Sequence, residues 1–491
     1  MWMAAGWRGE LALGALASRH SRMADGAGWE SVCTRSELKA IDRLRGPRLT
    51  DGSGFICIRL KRLFKLSKSQ LRQTMLSVFR PFFLDIRQVW AQFPTDMPKT
   101  KAAKTKAAKA KAAINAAKPA WNKNISLMVN SVDISGNGQL VIGGNYFHDY
   151  SQTANPATAP APLSTVGVYL WNAQGTLLWK DEFQSTEGIR SVALSRDGTW
   201  AAGGGWGSNR SGFIYAYDAA TGNQRLTYNF HGMVLQVALS GDGSYLVAAA
   251  DSIYFFKRTA SNWSAPQIIA GSNVPNDDYV SVDISDDGRW IVAGTYQGFI
   301  LLIQNNNGVL SAPVSWKQPT GHFHWVAMAA DGSGFVAGAS SGNALYFNTA
   351  AFFAGPTGPA WTASLAGCDR CSCVAISDDG SLISAVFNAG AAGKVFLFSN
   401  QSSTPSTPLW SKTTKHSSNS TSLDSTGQFV TVADGYQTPA GAFYLYDNAG
   451  HLKWSHDTTK MSWPMKISSN AAGIAAGSDD GNVYYFLPVQ P

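Results

Sequence analysis

With 491 residues, 45% of them apolar and 15% charged, the chain has enough apolar content for a large core and too little charge for a mainly disordered protein. The formal net charge of +8 is uneven: residues 1–123 hold 24 Lys and Arg against 8 Asp and Glu, leaving 16 against 24 for the rest. The body is therefore acidic, which argues against broad nucleic-acid binding by it, and an odd count of five cysteines argues against a disulfide framework.

Residues 1–96 show no repeat. Within them, 59–93 reads as a basic amphipathic helix broken near Pro81, suited to a partner or an anionic surface. The short apolar run near Leu11 follows Glu10 without a basic lead, so no secretory signal is expected, and a cytoplasmic location is. No run of 18 apolar residues occurs, so no membrane-spanning helix is predicted. The stretch from Met97, MPKTKAAKTKAAKAKAA, reads as a natural beginning. Residues 1–96 are accordingly expected to be a disordered or helical arm, or to precede the true start.

Residues 97–118 are rich in Lys and Ala. Both favour helix, but like charges four apart oppose it. In composition this tail resembles the Lys/Ala tails of linker histones. That resemblance implies, as an alternative function, contacts to nucleic-acid phosphates through Lys101, Lys104, Lys106, Lys109 and Lys111; a solvated tether is the plainer reading.

From residue 119 onward one pattern recurs: apolar-x-apolar-Ser-x-Asp-Gly, then an apolar stretch ending in small residues. Copies include SVDISGNGQLVIGG (131–144), SVALSRDGTWAAGG (191–204), SVDISDDGRWIVAG (281–294), CVAISDDGSLISAV (373–386) and a degenerate PMKISSNAAGIAAG (464–477). The turn residues Gly138, Gly198, Gly243, Gly288, Gly332, Gly380, Gly427 and Ala471 are spaced 60, 45, 45, 44, 48, 47 and 44 apart. Alternating apolar residues predict strands, and Asp-Gly supplies the positive φ of a tight hairpin. A third strand with an aromatic stripe follows each copy, as in FIYAYD (213–218) and AFYLYD (442–447). A fourth often carries Trp, as in LLWKDEF (177–183), PAWTASL (359–365) and PLWSKT (408–413).

Four short strands about every 45 residues predict an all-β fold, an eight-bladed β-propeller over 119–491, with seven blades as the alternative count. The chain ends after a third strand. PAWNKNI (119–125) resembles PAWTASL and is expected to supply the missing fourth, closing the ring. The long first interval holds a Pro/Ala/Ser insertion, 151–164, read as a loop between the second and third strands.

The first hairpin of each repeat resembles WD-repeat propellers, although no copy carries Trp-Asp. The stretch GFIYAYDAATGNQRLTYNF (212–230), with its tyrosine stripe and Asp-x-x-Thr-Gly turn, resembles the repeat of quinoprotein (PQQ-type) propellers. The second resemblance implies a PQQ oxidoreductase as an alternative function. Those enzymes carry adjacent cysteines, a Ca²⁺ site and a catalytic carboxylate, and here no two cysteines are adjacent.

Two constellations qualify as sites. Cys368, Cys371 and Cys373, with His322 in the equivalent loop one repeat earlier, present soft ligands at a spacing suited to zinc; loop cysteines are the plainer reading. The residues that open the first strand of successive repeats converge on one channel mouth, among them Asn130, Arg190, His324, Asn419 and Trp463. Such a ring suits a small anionic ligand or a peptide. No nucleophile, phosphate-loop or metal-helix motif appears. The expectation is a non-catalytic, monomeric scaffold that binds a protein or peptide, without a cofactor.

Overall fold

The computed structural model describes residues 116–147, 163–260, 262–269, 279–435 and 438–489. The arm 1–96, the five tail lysines and nearly all of the 151–164 insertion lie outside the described residues.

Six of the repeat hairpins are each organised by a serine, and in one other Ala329 stands in its place. The Ser195 hydroxyl donates to Asp197 Oδ1 at 2.6 Å and accepts from the Trp200 amide at 2.9 Å. Ser135, Ser240, Ser285, Ser377 and Ser468 make the same donation to the Asn or Asp two residues on. In a later copy Asp424 replaces the serine, and its carboxylate accepts from the Phe429 amide at 2.6 Å. Gly243, at φ +64°, then turns the chain where an L side chain is strained. Thus Ser-x-Asp-Gly is a self-contained turn, and the apolar runs beside it become two antiparallel strands.

Among the described residues the strands form seven antiparallel sheets, five of four strands, one of five and one of eight in which two repeats are joined by the single pair Tyr146–Gly188. Counted by repeat they make eight units, in each of which the first strand of the repeat is innermost. These inner strands are Met128–Ile134, Gly188–Leu194, Gln236–Leu239, Tyr279–Ile284, Phe323–Met328, Arg370–Ile376, Ser418–Leu423 and Ser462–Ile467; their units are numbered 1 to 8 in that order. Each inner strand contacts its two neighbours, and Ser462–Ile467 contacts Met128–Ile134, so the series closes on itself. Trp121–Asn124 pairs with Asn482–Phe486, Trp121 opposite Tyr485, and is the fourth strand of unit 8. Unit 4 carries an extra short strand, Val309–Leu310. In unit 5 a helix not foreseen from the pattern, Thr349–Ala354, follows the third strand; its N-cap Asn348 accepts from the Ala351 amide, and Phe352 is buried in the neighbouring core.

Among the described residues the apolar core is not one central cluster. Eight apolar clusters lie between adjacent units instead. One joins Val168 and Leu170 of unit 1 to Val192 and Tyr217 of unit 2; another joins Trp171 of unit 1 to Val483 and Tyr485 of unit 8. Small residues are needed where sheets approach: a Cβ at Gly144 would lie 2.3 Å from Ile189 Cγ2.

Two sets of polar contacts tie the units together. At the turn end, backbone amides link each unit to the next: Gly136 donates to Arg196, Gly241 to Asp286, Asp378 to Ser425, Ser425 to Ser469, and Asn470 back to Gly136. At the rim, fourth-strand tryptophans dock on the following unit. The indoles of Trp121, Trp179 and Trp410 donate to the carbonyls of Ala173, Ala219 and Asn448 at 2.8–2.9 Å, over Gly175, Gly222 and Gly450. The Trp pattern and the turn glycines are therefore two halves of one contact.

Candidate functional site

The inner strands surround a channel of about 640 Å³. Their outer-facing edge amides would be unpaired without help from the preceding unit. Val192 and Leu194 donate to Ser131 Oγ and Asp133 Oδ2, and Val326 and Met328 donate to Ser281 Oγ and Asp283 Oδ2, all at 2.8–2.9 Å. The identical Ser-Val-Asp triplets of units 1 and 4 thus hold their neighbours' inner strands. Asp133 and Asp283 both line the channel. Burial raises both carboxyls, Asp283 to about 6, against the opposing charge of Lys466.

The ring predicted from the repeat register gathers at the end where the inner strands begin. Asn130, Arg190, Val280, His324, Ser372, Asn419 and Trp463 all line the channel. Each falls at a break in the pairing of its inner strand: Val129/Ser131, Ile189/Ser191, Tyr279/Ser281, Phe323/Trp325, Cys371/Cys373, Ser418/Ser420 and Ser462/Met465. A bulge adds one residue without a partner and re-aims its side chain. In unit 3, Leu235 takes this place just before its strand. The bulge is thus the device that presents a variable residue from unit after unit to one opening.

Arg370 and Tyr296, which the repeat register did not single out, line the same end. The rings of His322 and His324 are 4.6 Å apart, and Tyr296 lies 5.5 Å from His322. Burial first, then the neighbouring positive charges, push His324 down to about 4 and lower His322 too; Arg370 acts on both. Both imidazoles are therefore neutral at pH 7. The Trp463 indole bonds Asp479, whose carboxyl burial raises to about 6.

The opposite end is spanned by charge. Arg196 of unit 2 pairs with Asp286 of unit 4 and Asp378 of unit 6. All three occupy the x of Ser-x-Asp-Gly, the same register position in three different repeats.

The four expected metal ligands are not brought together. The bulge at Ser372 turns Cys371 into the core between units 5 and 6, and Cys373 into the core between units 6 and 7. Burial raises all three thiols, which disfavours the thiolate that a metal requires. His322 packs against Tyr296 and His324 instead. Among the described residues no group of three or more His, Cys, Asp or Glu is placed to hold a metal ion.

No protein-family profile matches the chain, and no curated protein matches its sequence. Its fold is similar to that of the Dos1 propeller, with a TM-score of 0.54 and 15% identity over 76% of this chain and 95% of that one. The chain is a β-propeller. The Cps50 (Swd1) β-propeller domain of Myceliophteria thermophila is also similar, with a TM-score of 0.47 and 14% identity over 75% of this chain and 99% of that one. Identities this low bear on architecture alone. No helix among the described residues is long and apolar enough to cross a membrane.

Proposed function

We propose that this chain is a non-catalytic propeller scaffold whose eight units act as blades, and that it holds a protein or peptide partner over the channel mouth. The Lys/Ala tail serves as a tether beside a propeller body of residues 119–491. The ring of bulged side chains carries this reading. Bulges leave the strands and their interblade cores intact while placing Arg190, His324, Asn419 and Trp463 at one opening. A cation, an imidazole, an amide and an indole recognise extended peptide through charge, hydrogen bonds and apolar contact. The acidic groups in the wall are engaged in holding strands together, which leaves them poorly placed for proton transfer.

Panning a random peptide library on the full chain tests this, in parallel with the triple variant Arg190→Ala, His324→Ala, Trp463→Ala. A shared motif enriched by the parent and lost in a variant with the same thermal midpoint supports binding at the mouth. Equal enrichment on both, or none on either, removes the proposal.

A further inference from the structure

We propose that the channel wall at Ala375 binds a small free aliphatic carboxylate, held by the backbone amides of Ile376 and Leu423. This site lies inside the channel and does not depend on the peptide reading.

The repeat supplies its own template. An inner strand pairs on one side only, so every second amide points away from its ladder and takes an acceptor from elsewhere. At the register position of Asp283, one side chain serves two such amides, that of the next residue and one from the next unit. Asp283 Oδ1 accepts from Ile284 and Oδ2 from Met328, both at 2.9 Å. Asp133 serves Ile134 and Leu194 in the same way. Ser422, at this position of unit 7, accepts from Ile467 at 3.0 Å.

In unit 6 the position is held by Ala375, and the two amides are those of Ile376 and Leu423. Among the described residues no side chain accepts from either. At the other alanines of this layer, Ala193, Ala238 and Ala327, one of the two amides is already taken by Asp133 or Asp283. Ala375 is thus the one described place where both amides are open, and Asp283 shows that a single carboxylate reaches both.

Burial marks the same place independently. Ile134, Leu194, Ile284, Met328 and Ile467, whose amides are served, are all buried. Ala375, Ile376 and Leu423 are part-exposed and line the channel. Charge agrees with this. Lys466 holds the same register position in unit 8 and lines the channel. Burial raises the Cys373 thiol and the Asp133 and Asp283 carboxyls, and the Lys466 charge opposes it at all three, in units 6, 1 and 4. Its ammonium therefore reaches the interior of the channel. The nearest acidic side chain of unit 6, Asp378, is paired with Arg196.

Two converging N–H donors under a positive field select an acceptor-only group with two oxygens. The Ala375 methyl and the Ile376 and Leu423 side chains suit an alkyl chain behind it. The ion pairs of Arg196 span the turn end, so entry is from the mouth, and a channel of about 640 Å³ limits the ligand to a small molecule.

Thermal unfolding of the full chain tests the site, at constant ionic strength with sodium chloride exchanged for sodium propionate or succinate and with propionamide as the uncharged control. Propionate or succinate should raise the midpoint saturably, and propionamide should not. Ala375→Asp fills the place from the wall, as Asp283 does, and should abolish the response. Lys466→Met leaves the place open and should weaken half-saturation about fivefold or more through loss of the charge. It decides the matter where Ala375→Asp does not fold. No response in the parent, an equal response to propionamide, or an unchanged response in Lys466→Met or in folded Ala375→Asp would each overturn the site. Capped glutamate (N-acetyl, N-methylamide) acting where propionate and succinate fail would assign the carboxylate to a peptide and overturn the free ligand.

Discussion

Arg196 and Asp378 are 182 positions apart in the chain, and their side chains meet in an ion pair across one end of the channel, with Asp286 as the second partner of the same guanidinium. The groups are part-exposed, so solvent screens the pairs. Arg196→Ala is expected to cost about 1 kcal/mol in urea unfolding, the sum expected of two such pairs. A double-mutant cycle with Asp378→Ala should return a coupling of a few tenths of a kcal/mol that shrinks in high salt.

Turn glycines separate two kinds of strain. Gly243 has φ +64°, and a Cβ there would lie 2.6 Å from Trp200 Cδ1. Gly367 has φ +74° with nothing within 4 Å of such a Cβ. Gly367→Ala should cost about 1 kcal/mol for the backbone alone. Gly243→Ala should cost at least about 2 kcal/mol, because the indole must also move. Urea midpoints of the two variants decide it, and equal losses would show that the Trp200 contact contributes nothing.

Ring closure depends on Trp121. Its indole stacks on Tyr485 at 5.4 Å and donates to the Ala173 carbonyl at 2.9 Å, joining units 8 and 1. Trp121→Ala is expected to lower stability by about 3 kcal/mol. Trp121→Phe, which keeps the stack and loses the donor, should lose about 1 kcal/mol. Thermal unfolding measured by tryptophan fluorescence and far-UV circular dichroism should rank the three proteins in that order.

Asp283 makes stability depend on pH. Its folded carboxyl, raised to about 6 by burial, binds protons more tightly than the unfolded group, with its ordinary value of 3.8. The folded chain therefore holds the extra proton between those values. The contribution of Asp283 is complete below about pH 4 and is lost as pH rises through about 6. Asp479, also raised to about 6, acts in the same direction. Asp283→Asn keeps an oxygen for the Met328 amide and cannot titrate. Its urea midpoint should fall less than that of the parent between pH 4.5 and 7.5, and parallel profiles would contradict the assignment.

Much of the architecture is legible in the sequence. The Ser-x-Asp-Gly turns are closed by bonds within six residues, as Ser195, Asp197 and Trp200 show, so each announces itself wherever it occurs. The likeness of Pro119–Ile125 to the Trp-bearing fourth strands was also visible, and Trp121–Asn124 does pair with the last strand. The mouth residues lie at a fixed count before those turns. The cysteines show where counting fails: Cys371 and Cys373, two apart, belong on one face of a regular strand, and the bulge at Ser372 sends them into different cores.

Local order in this chain, its turns, strands and repeat length, follows from interactions between near neighbours and is written in composition and spacing. The bulges, the reach of Arg196 to two other units, the open amides of Ile376 and Leu423, and the raised carboxyl of Asp283 belong to the assembled ring. Each depends on which strand lies alongside which, and on how much water the channel admits. Those conditions involve residues dozens to hundreds of positions apart, so they exist only once the units have closed around a common axis.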